Sequence, residues 1–285
     1  MRVAYSIGVD IYERVEIFYK SVKTEKVIIG KSVAGRNLYA VKMGEGAPVG
    51  IAQYAIHGRE YILARLAFLH FEQGLAKGSC WLIPLANPDG ALLSERGLSS
   101  VREEKEKKRL LAMNDNKEDF SLWKANLRGV DLNVNFAAYW GKGKKNLRFA
   151  GSENYIGEKP FSEPETLALK KFTEKIHPDY TLSYHTKGEE IYWYFYQSMH
   201  TCPRDKGLAL ALSRSTGYPL AYARGSAGGY KDWCIQKLSI PSFTIEAGGE
   251  KFPHPLGEAG LKDIAEKNAR ALYDLSDAIW REELL

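Results

Sequence analysis

The chain is poor in cysteine, with three among 285 residues: Cys80, Cys202 and Cys234. An odd count with no C-x-x-C pair excludes a disulfide framework and a cysteine-built zinc site. Cys80 precedes Trp-Leu-Ile and Cys234 follows Asp-Trp, so both read as small buried residues. A reducing compartment is expected. No apolar run approaches the roughly 18 residues that a membrane helix needs, so no membrane span is expected. The opening Met-Arg-Val-Ala-Tyr-Ser-Ile-Gly-Val-Asp holds no apolar signal core and no small-residue cleavage site. These absences give the expectation of a cytoplasmic protein. Internal repeats and low-complexity linkers are missing too. Neither sign of charge dominates: 40 Lys and Arg face 35 Asp and Glu, a net +5. The basic residues are spread along the chain rather than gathered in a stripe, so no nucleic-acid partner is expected. The slight positive bias reads as a soluble surface, or as a preference for an anionic substrate or polymer.

What is present is ordinary for a soluble globular protein, at 45% hydrophobic and 26% charged residues. The length allows one α/β domain or two small ones. Tyr12, Val15, Phe18 and Tyr19 at helical spacing predict a short helix over 11–23. Val27–Gly30 and Leu38–Val41 read as paired strands across Ala34-Gly35-Arg36. Gly50–Ile56 is a largely apolar run, expected as a buried strand, and a helix over Tyr61–Gly74 follows. Cys80–Leu85 is another buried strand, closed by a turn at Asn87-Pro88-Asp89-Gly90. Mixed charges over 101–118 predict a solvated helix. Ser162-Glu163-Pro164-Glu165 offers an N-cap, a first-turn proline and an acidic first turn, starting a helix that runs to about Ile176. Tyr180–Tyr184 and Phe243–Ile245 read as strands. Arg204–Thr216 and Leu256–Leu275 read as helices, the last amphipathic.

Strands and helices thus alternate, and three polar residues follow the C-terminal ends of different apolar strands: His57, His185 and Glu246. In open α/β sheets that edge is where sites form. His57-Gly58-Arg59-Glu60 holds a histidine and a carboxylate at H-x-x-E spacing. His185 supplies a second, distant imidazole. Two imidazoles and a carboxylate are the ligand set of a catalytic zinc. Glu246, closing Ser-Phe-Thr-Ile, is costly to bury unless paired or functional, and suits a general base. Each residue alone has a plainer reading: a core histidine, a capping Glu60, a salt-bridged Glu246. Their convergence argues for a zinc hydrolase.

These residues belong to a wider pattern. Gly35-Arg36-Asn37-Leu38-Tyr39, His57-Gly58-Arg59-Glu60, Asn87-Pro88-Asp89-Gly90 and Gly129-Val130-Asp131-Leu132-Asn133 occur in that order. Ser183-Tyr184-His185, Gly228-Gly229-Tyr230-Lys231-Asp232-Trp233 and Thr244-Ile245-Glu246 follow. The chain resembles the zinc carboxypeptidase family over nearly its whole length. The resemblance implies a single three-layer α/β/α domain over 1–285 with a mixed, mostly eight-stranded central sheet, residues 1–24 being a short helical lead-in. It implies one Zn2+ per chain on His57, Glu60 and His185, with Glu246 as catalytic base.

One departure stands out. Where the family has Asn-Arg to grip a substrate's C-terminal carboxylate, this chain has Asn133-Val134, and valine cannot hold a carboxylate. Lys124 falls where the family places its oxyanion-stabilising arginine; Arg128 competes for that role, and Arg59 remains near the metal. The family's capping tyrosine does not align: Arg224 stands there, with Tyr222 and Tyr230 nearby. Trp123-Lys124-Ala125-Asn126, the Asn-Val-Asn-Phe variant and the run His185–Trp193 are similar to a bacterial branch. Its members cleave the γ-D-glutamyl–diaminopimelate bond of peptidoglycan stem peptides. For such a peptide partner, Glu189 or Glu190 would meet the extra ammonium, and Arg59, Arg224 or Lys187 the carboxylate. The alternatives are a general carboxypeptidase and a non-catalytic peptide-binding module.

Overall fold

The computed structural model describes residues 8–282; the ends of the expected domain, 1–7 and 283–285, lie outside the described residues. Asp10 caps the first helix, α1 (Ile11–Ser21), by accepting from the Glu13 amide, and Ile11, Val15 and Phe18 bury its apolar stripe. Strands β1 (Lys26–Lys31) and β2 (Asn37–Gly44) form the expected antiparallel pair, with an irregular register between Ile28 and Gly30. Then come β3 (Val49–Tyr54), α2 (Leu63–Gln73), β4 (Ser79–Ile83), α3 (Pro88–Arg96) and α4 (Glu104–Met113). A long irregular stretch follows, broken by a 3-10 turn at Leu132–Val134 and a lone bridge between Leu147 and Tyr155. The second half holds α5 (Pro164–Ile176), β5 (Tyr180–His185), β6 (Glu190–Tyr192), α6 (Cys202–Thr216) and β7 (Leu220–Ala221). It closes with α7 (Tyr230–Leu238), β8 (Ser242–Glu246), α8 (Glu258–Asn268) and α9 (Ala271–Glu282).

The eight strands form one mixed sheet in the order β1-β2-β4-β3-β5-β8-β6-β7. Its centre, β4-β3-β5-β8, is parallel; β2 and β6 join it antiparallel. Side chains alternate between the faces. Ala52, Tyr54, Leu182 and Tyr184 pack with α1, α2, α6, α8 and α9. Ile51, Trp81 and Ile83 pack with Leu169 and Phe172 of α5 and Trp233 of α7. The result is the three-layer α/β/α arrangement. The thiols of Cys80 and Cys234 are buried in it, and burial pushes both up to about 12.

Local structure departs from expectation at three places. Asn87-Pro88-Asp89-Gly90 is the start of α3 rather than a turn: the Asn87 side chain accepts from the Gly90 amide and Pro88 takes the first helical position. The residue before α5 is Glu163, not Ser162; the Ser162 hydroxyl is spent on the Glu163 carboxylate, 2.8 Å away. The single helix expected over Leu256–Leu275 is two, α8 and α9. The break has a visible cause. The carbonyl of Asn268, the last residue of α8, accepts from His70 Nε2 at 2.9 Å, and its side chain donates to Tyr218 Oη and the Ile264 carbonyl.

That contact sets the state of His70. A carbonyl can only accept, so Nε2 carries the proton and the Tyr54 hydroxyl donates to Nδ1 at 2.6 Å. The ring is buried and neutral. Burial lowers it from 6.5 to about 4, against the smaller upward pull of the Asn268 carbonyl. A depressed histidine binds its proton in the unfolded chain before the folded one. Stability is therefore full above pH 6.5 and lost as pH falls toward 4, by roughly 3 kcal/mol. Gln at this position keeps one donor and one acceptor but does not titrate. We expect His70→Gln to remove most of the acid sensitivity between pH 7 and 4.5, read as the difference in urea-unfolding free energy from the parent chain at the two pH values.

Candidate metal centre and active site

Gly58 decides how His57 and Glu60 are presented. A Cβ there would lie 2.5 Å from the Gly90 carbonyl oxygen and 2.8 Å from that of Trp123, so no other residue fits without moving backbone. The Gly58 amide donates to the Lys124 carbonyl at 2.9 Å and the Arg59 amide to that of Trp123 at 2.8 Å. Asn87 completes the clamp, its side-chain amide donating to the carbonyls of Ile56, Lys124 and Ala125 at 3.1–3.2 Å. The chain leaving β3 is thereby folded into a 3-10 turn over Gly58–Glu60, with His57 in extended conformation before it. H-x-x-E spacing across that turn brings both side chains to one point.

His185 arrives from the neighbouring strand. It ends β5 opposite Glu246 of β8 in parallel register, so both point to the same face. The three ligand groups then converge. His57 Nδ1 is 2.9 Å from Glu60 Oε1 and 3.2 Å from His185 Nδ1, and His185 Nδ1 is 3.2 Å from Glu60 Oε2. His185 and Glu60 are each 1% exposed. Glu60 Oε2 is buried without a well-formed hydrogen bond, and so is His185 Nε2. Two imidazole nitrogens facing each other across a buried carboxylate are explained by a cation between them. Among the described residues this is the group that could hold a metal. It is the zinc site of the chain. Burial opposes a charge on His57, but Glu60 and Asp131 outweigh it and raise the ring to about 10. Burial would likewise raise Glu60, yet His57 and His185 hold it well below the usual carboxylate range. The same negative surroundings that favour a proton on His57 favour a metal cation.

Of the three ligands His57 reaches a cavity of about 600 Å³, whose lining also includes Lys124, Asp131, Asn133, Glu246 and Arg224. Burial raises the Glu246 carboxyl, and Glu60 adds to the rise, while His185 and His57 oppose it. Lys124 Nζ lies 2.9 Å from Glu153; burial works against its charge, but Asp131 and Glu153 leave it raised. Arg224 is exposed on the rim. Asn133 reaches the cavity while its side-chain oxygen accepts from the Tyr230 amide at 3.3 Å.

Other residues singled out in the sequence stand elsewhere. Arg59 does not line this cavity, though its charge reaches Lys124 and His254. Arg128 lies in a separate groove, 3.7 Å from Glu163. The Tyr230 hydroxyl is fully buried against Thr173 at 2.8 Å, so it is packing rather than wall. Glu189 is paired with Lys267 of α8 at 2.5 Å. Glu190 begins β6 directly across from Glu246 and is not among the lining residues.

Sequence reasoning attached no role to Asp131. Its Oδ1 sits 3.3 Å from His57 Nε2, its two carboxylate oxygens also accept from the Asn133 and Asn154 amides, and it is 3% exposed. A carboxylate on the far nitrogen holds the ring so that Nδ1 faces the metal and makes it a stronger ligand. The clue was available: an acid inside the Gly-Val-Asp-Leu-Asn element. We expect Asp131→Ala to weaken zinc binding about 10- to 100-fold with an unchanged circular dichroism spectrum, measured by competition against a chromophoric chelator.

Comparison with known proteins agrees with this geometry. The zinc carboxypeptidase (Peptidase_M14) family model matches residues 18–271. The chain is 32% identical over 249 residues to gamma-D-glutamyl-L-diamino acid endopeptidase 1 of Lysinibacillus sphaericus, an alignment covering 81% of this chain and 62% of that protein. It is 34% identical over 132 residues to murein peptide amidase A of Escherichia coli (strain K12), covering 43% and 50%. The structure of bovine thrombin-activatable fibrinolysis inhibitor superposes with a TM-score of 0.73 at 20% identity, covering 95% of each chain, which speaks for the fold. The chain spans less than two thirds of the length of the first of these relatives. With the family match and the His57-Glu60-His185 centre in agreement, this chain belongs to the zinc carboxypeptidase family.

Proposed function

We propose that the protein is a zinc-dependent peptidase acting on peptidoglycan stem peptides, with the γ-D-glutamyl–meso-diaminopimelate amide as the bond cleaved. One observation carries the reading: the metal ligand His57 and Glu246 line one cavity, and Val134 stands in it where a carboxylate-gripping arginine is expected. A substrate bound there is not held as a C-terminal residue on an ordinary carboxypeptidase is. Two relatives named for diamino-acid and murein peptides support the choice. Three free cysteines, two of them buried, support a reducing compartment such as the cytoplasm.

When bound, zinc supplies Lewis acidity to the amide carbonyl and to water. Glu246 takes one proton from the attacking water as its oxygen bonds the carbonyl carbon, and gives it to the diamino-acid nitrogen as the C–N bond breaks. Its burial suits the first half of that task, because a carboxylate that is costly to keep charged takes a proton more readily, and the departing amine is basic enough to receive that proton in the second half. Lys124 stands on the same wall and stabilises the developing oxyanion as a point charge. Asp131 holds the His57 ring in orientation.

Glu246→Gln is expected to keep zinc at one equivalent while lowering kcat by about 10²- to 10⁴-fold. The assay is release of diaminopimelate from L-Ala-γ-D-Glu-meso-diaminopimelate, with and without a terminal D-Ala, followed by mass spectrometry. Lys124→Ala should depress kcat far more than it raises KM, because the interaction it removes forms in the transition state. Rapid release of C-terminal residues from ordinary peptides, with the stem peptides untouched, would replace this reading with that of a general carboxypeptidase.

A further inference from the structure

The cavity wall carries more positive charge than its own carboxylates neutralise. Five cations line it, Lys124, Lys144, Lys145, Arg224 and Lys231, against the carboxylates of Asp131, Asp232 and Glu246. The deeper groups are matched. Lys124 holds Glu153 at 2.9 Å, Lys231 holds Asp232 at 2.6 Å, and Asp131 is turned to His57 at 3.3 Å. The side chains of Lys144, Lys145 and Arg224 have no hydrogen-bond or ion-pair partner among the described residues. Each is exposed, and each comes from a loop rather than from the sheet.

The two loops are tied. The Lys144 amide donates to the Gly225 carbonyl at 2.8 Å. Gly225 has φ +81, and a Cβ on it would meet the Lys144 stem at 2.8 Å, so the aliphatic part of Lys144 lies directly on the Gly225 backbone. Residues 143–146 and 223–226 thus form one strap across the mouth of the cavity, holding three like charges near each other. Among the described residues no carboxylate pairs with them to relieve their repulsion; an anion entering the cavity does. Val134, which lines the same cavity, offers no cation for that purpose.

We infer that Lys144, Lys145 and Arg224 form an anion-binding strap that selects substrates bearing a free carboxylate on the side chain of the residue released from the scissile amide. This rests on the stem-peptide reading for the identity of the substrate, but the strap is defined by the charges themselves. It moves carboxylate recognition from position 134, now a valine, to exposed loop residues of the same cavity. Exposed lysine and arginine side chains on loops can meet a carboxylate at the end of a long side chain, as diaminopimelate has.

The test uses the zinc-loaded Glu246→Gln protein, so that binding is read without turnover. Calorimetry compares matched peptide pairs differing only in a carboxylate or a carboxamide on the terminal residue. One pair is built on L-Ala-γ-D-Glu-meso-diaminopimelate and one on an ordinary tripeptide ending in glutamate or glutamine. We expect the carboxylate member of at least one pair to bind about tenfold tighter or better. That preference should shrink as salt rises from 0.05 to 0.5 M, and vanish in Lys144→Gln/Lys145→Gln/Arg224→Gln. Zinc content and circular dichroism of the triple variant control for folding. A preference that survives in the triple variant overturns the inference, as does the absence of a preference in both pairs. Preference with the stem pair, but no cleavage of it by the unsubstituted enzyme, upholds the strap and removes the proposed bond. Preference with the glutamate pair alone upholds the strap and redirects the enzyme to acidic C-terminal residues.

Discussion

Asn87 is the side chain on which the site depends. Its amide bonds three carbonyls from two segments, those of Ile56, Lys124 and Ala125, while its oxygen caps the helix that begins at Pro88. Neither segment is a sheet strand at that point, and a buried carbonyl left unpaired costs about 1–3 kcal/mol. One asparagine therefore joins the chain leaving β3, the start of α3 and the long irregular stretch that supplies Lys124. Gly58 and Gly90 are the steric half of the same device, since a methyl group on either would meet backbone oxygen at 2.5 Å or less. The metal ligand His57, Lys124 and the cap of α3 are thereby tied to one another.

Around this clamp, charge is arranged in matched layers. His57 lies between Glu60 and Asp131, and Lys124 between Asp131 and Glu153, so every buried charge near the metal has an opposite neighbour. Glu246 differs. It faces the same cavity, yet the net effect of its surroundings is to raise it, because burial and Glu60 outweigh the imidazoles. The environment thus separates two glutamates of one site: Glu60 is held ionised, as a ligand must be, and Glu246 is raised, as the proposed general base would be.

Much of this was legible in the sequence, for a physical reason. The parallel central strands are buried on both faces and read as largely apolar runs, and the end of each run falls at the sheet's C-terminal edge whatever the loops do. His57, His185 and Glu246 could be seen together for that reason, and Glu60 through its spacing. Residues whose placement depends on tertiary contact were harder. Tyr230 looks like a pocket residue in Gly-Gly-Tyr-Lys-Asp-Trp but turns inward to Thr173. Glu189 and Glu190 are adjacent acids with different fates, one drawn to Lys267 and one placed in a strand opposite Glu246. The final helix reads as one amphipathic stretch because nothing local reveals that His70, far back in the chain, takes the carbonyl of Asn268. Lys144 and Lys145 sit in a glycine-rich loop whose neighbour, Gly225, lies eighty residues on.

The ends of the sheet have a consequence for how the molecule behaves among its own copies. A long, flat outer strand is a template for pairing with another chain. Here one border is β7, two residues long, and the other is β1, whose register slips between Ile28 and Gly30 and which carries a lysine at each end. Exposed Ile28 sits on the irregular part. Neither border presents an unbroken row of amides, so a sheet that is strongly apolar at its centre stays closed to edge-to-edge growth at high concentration.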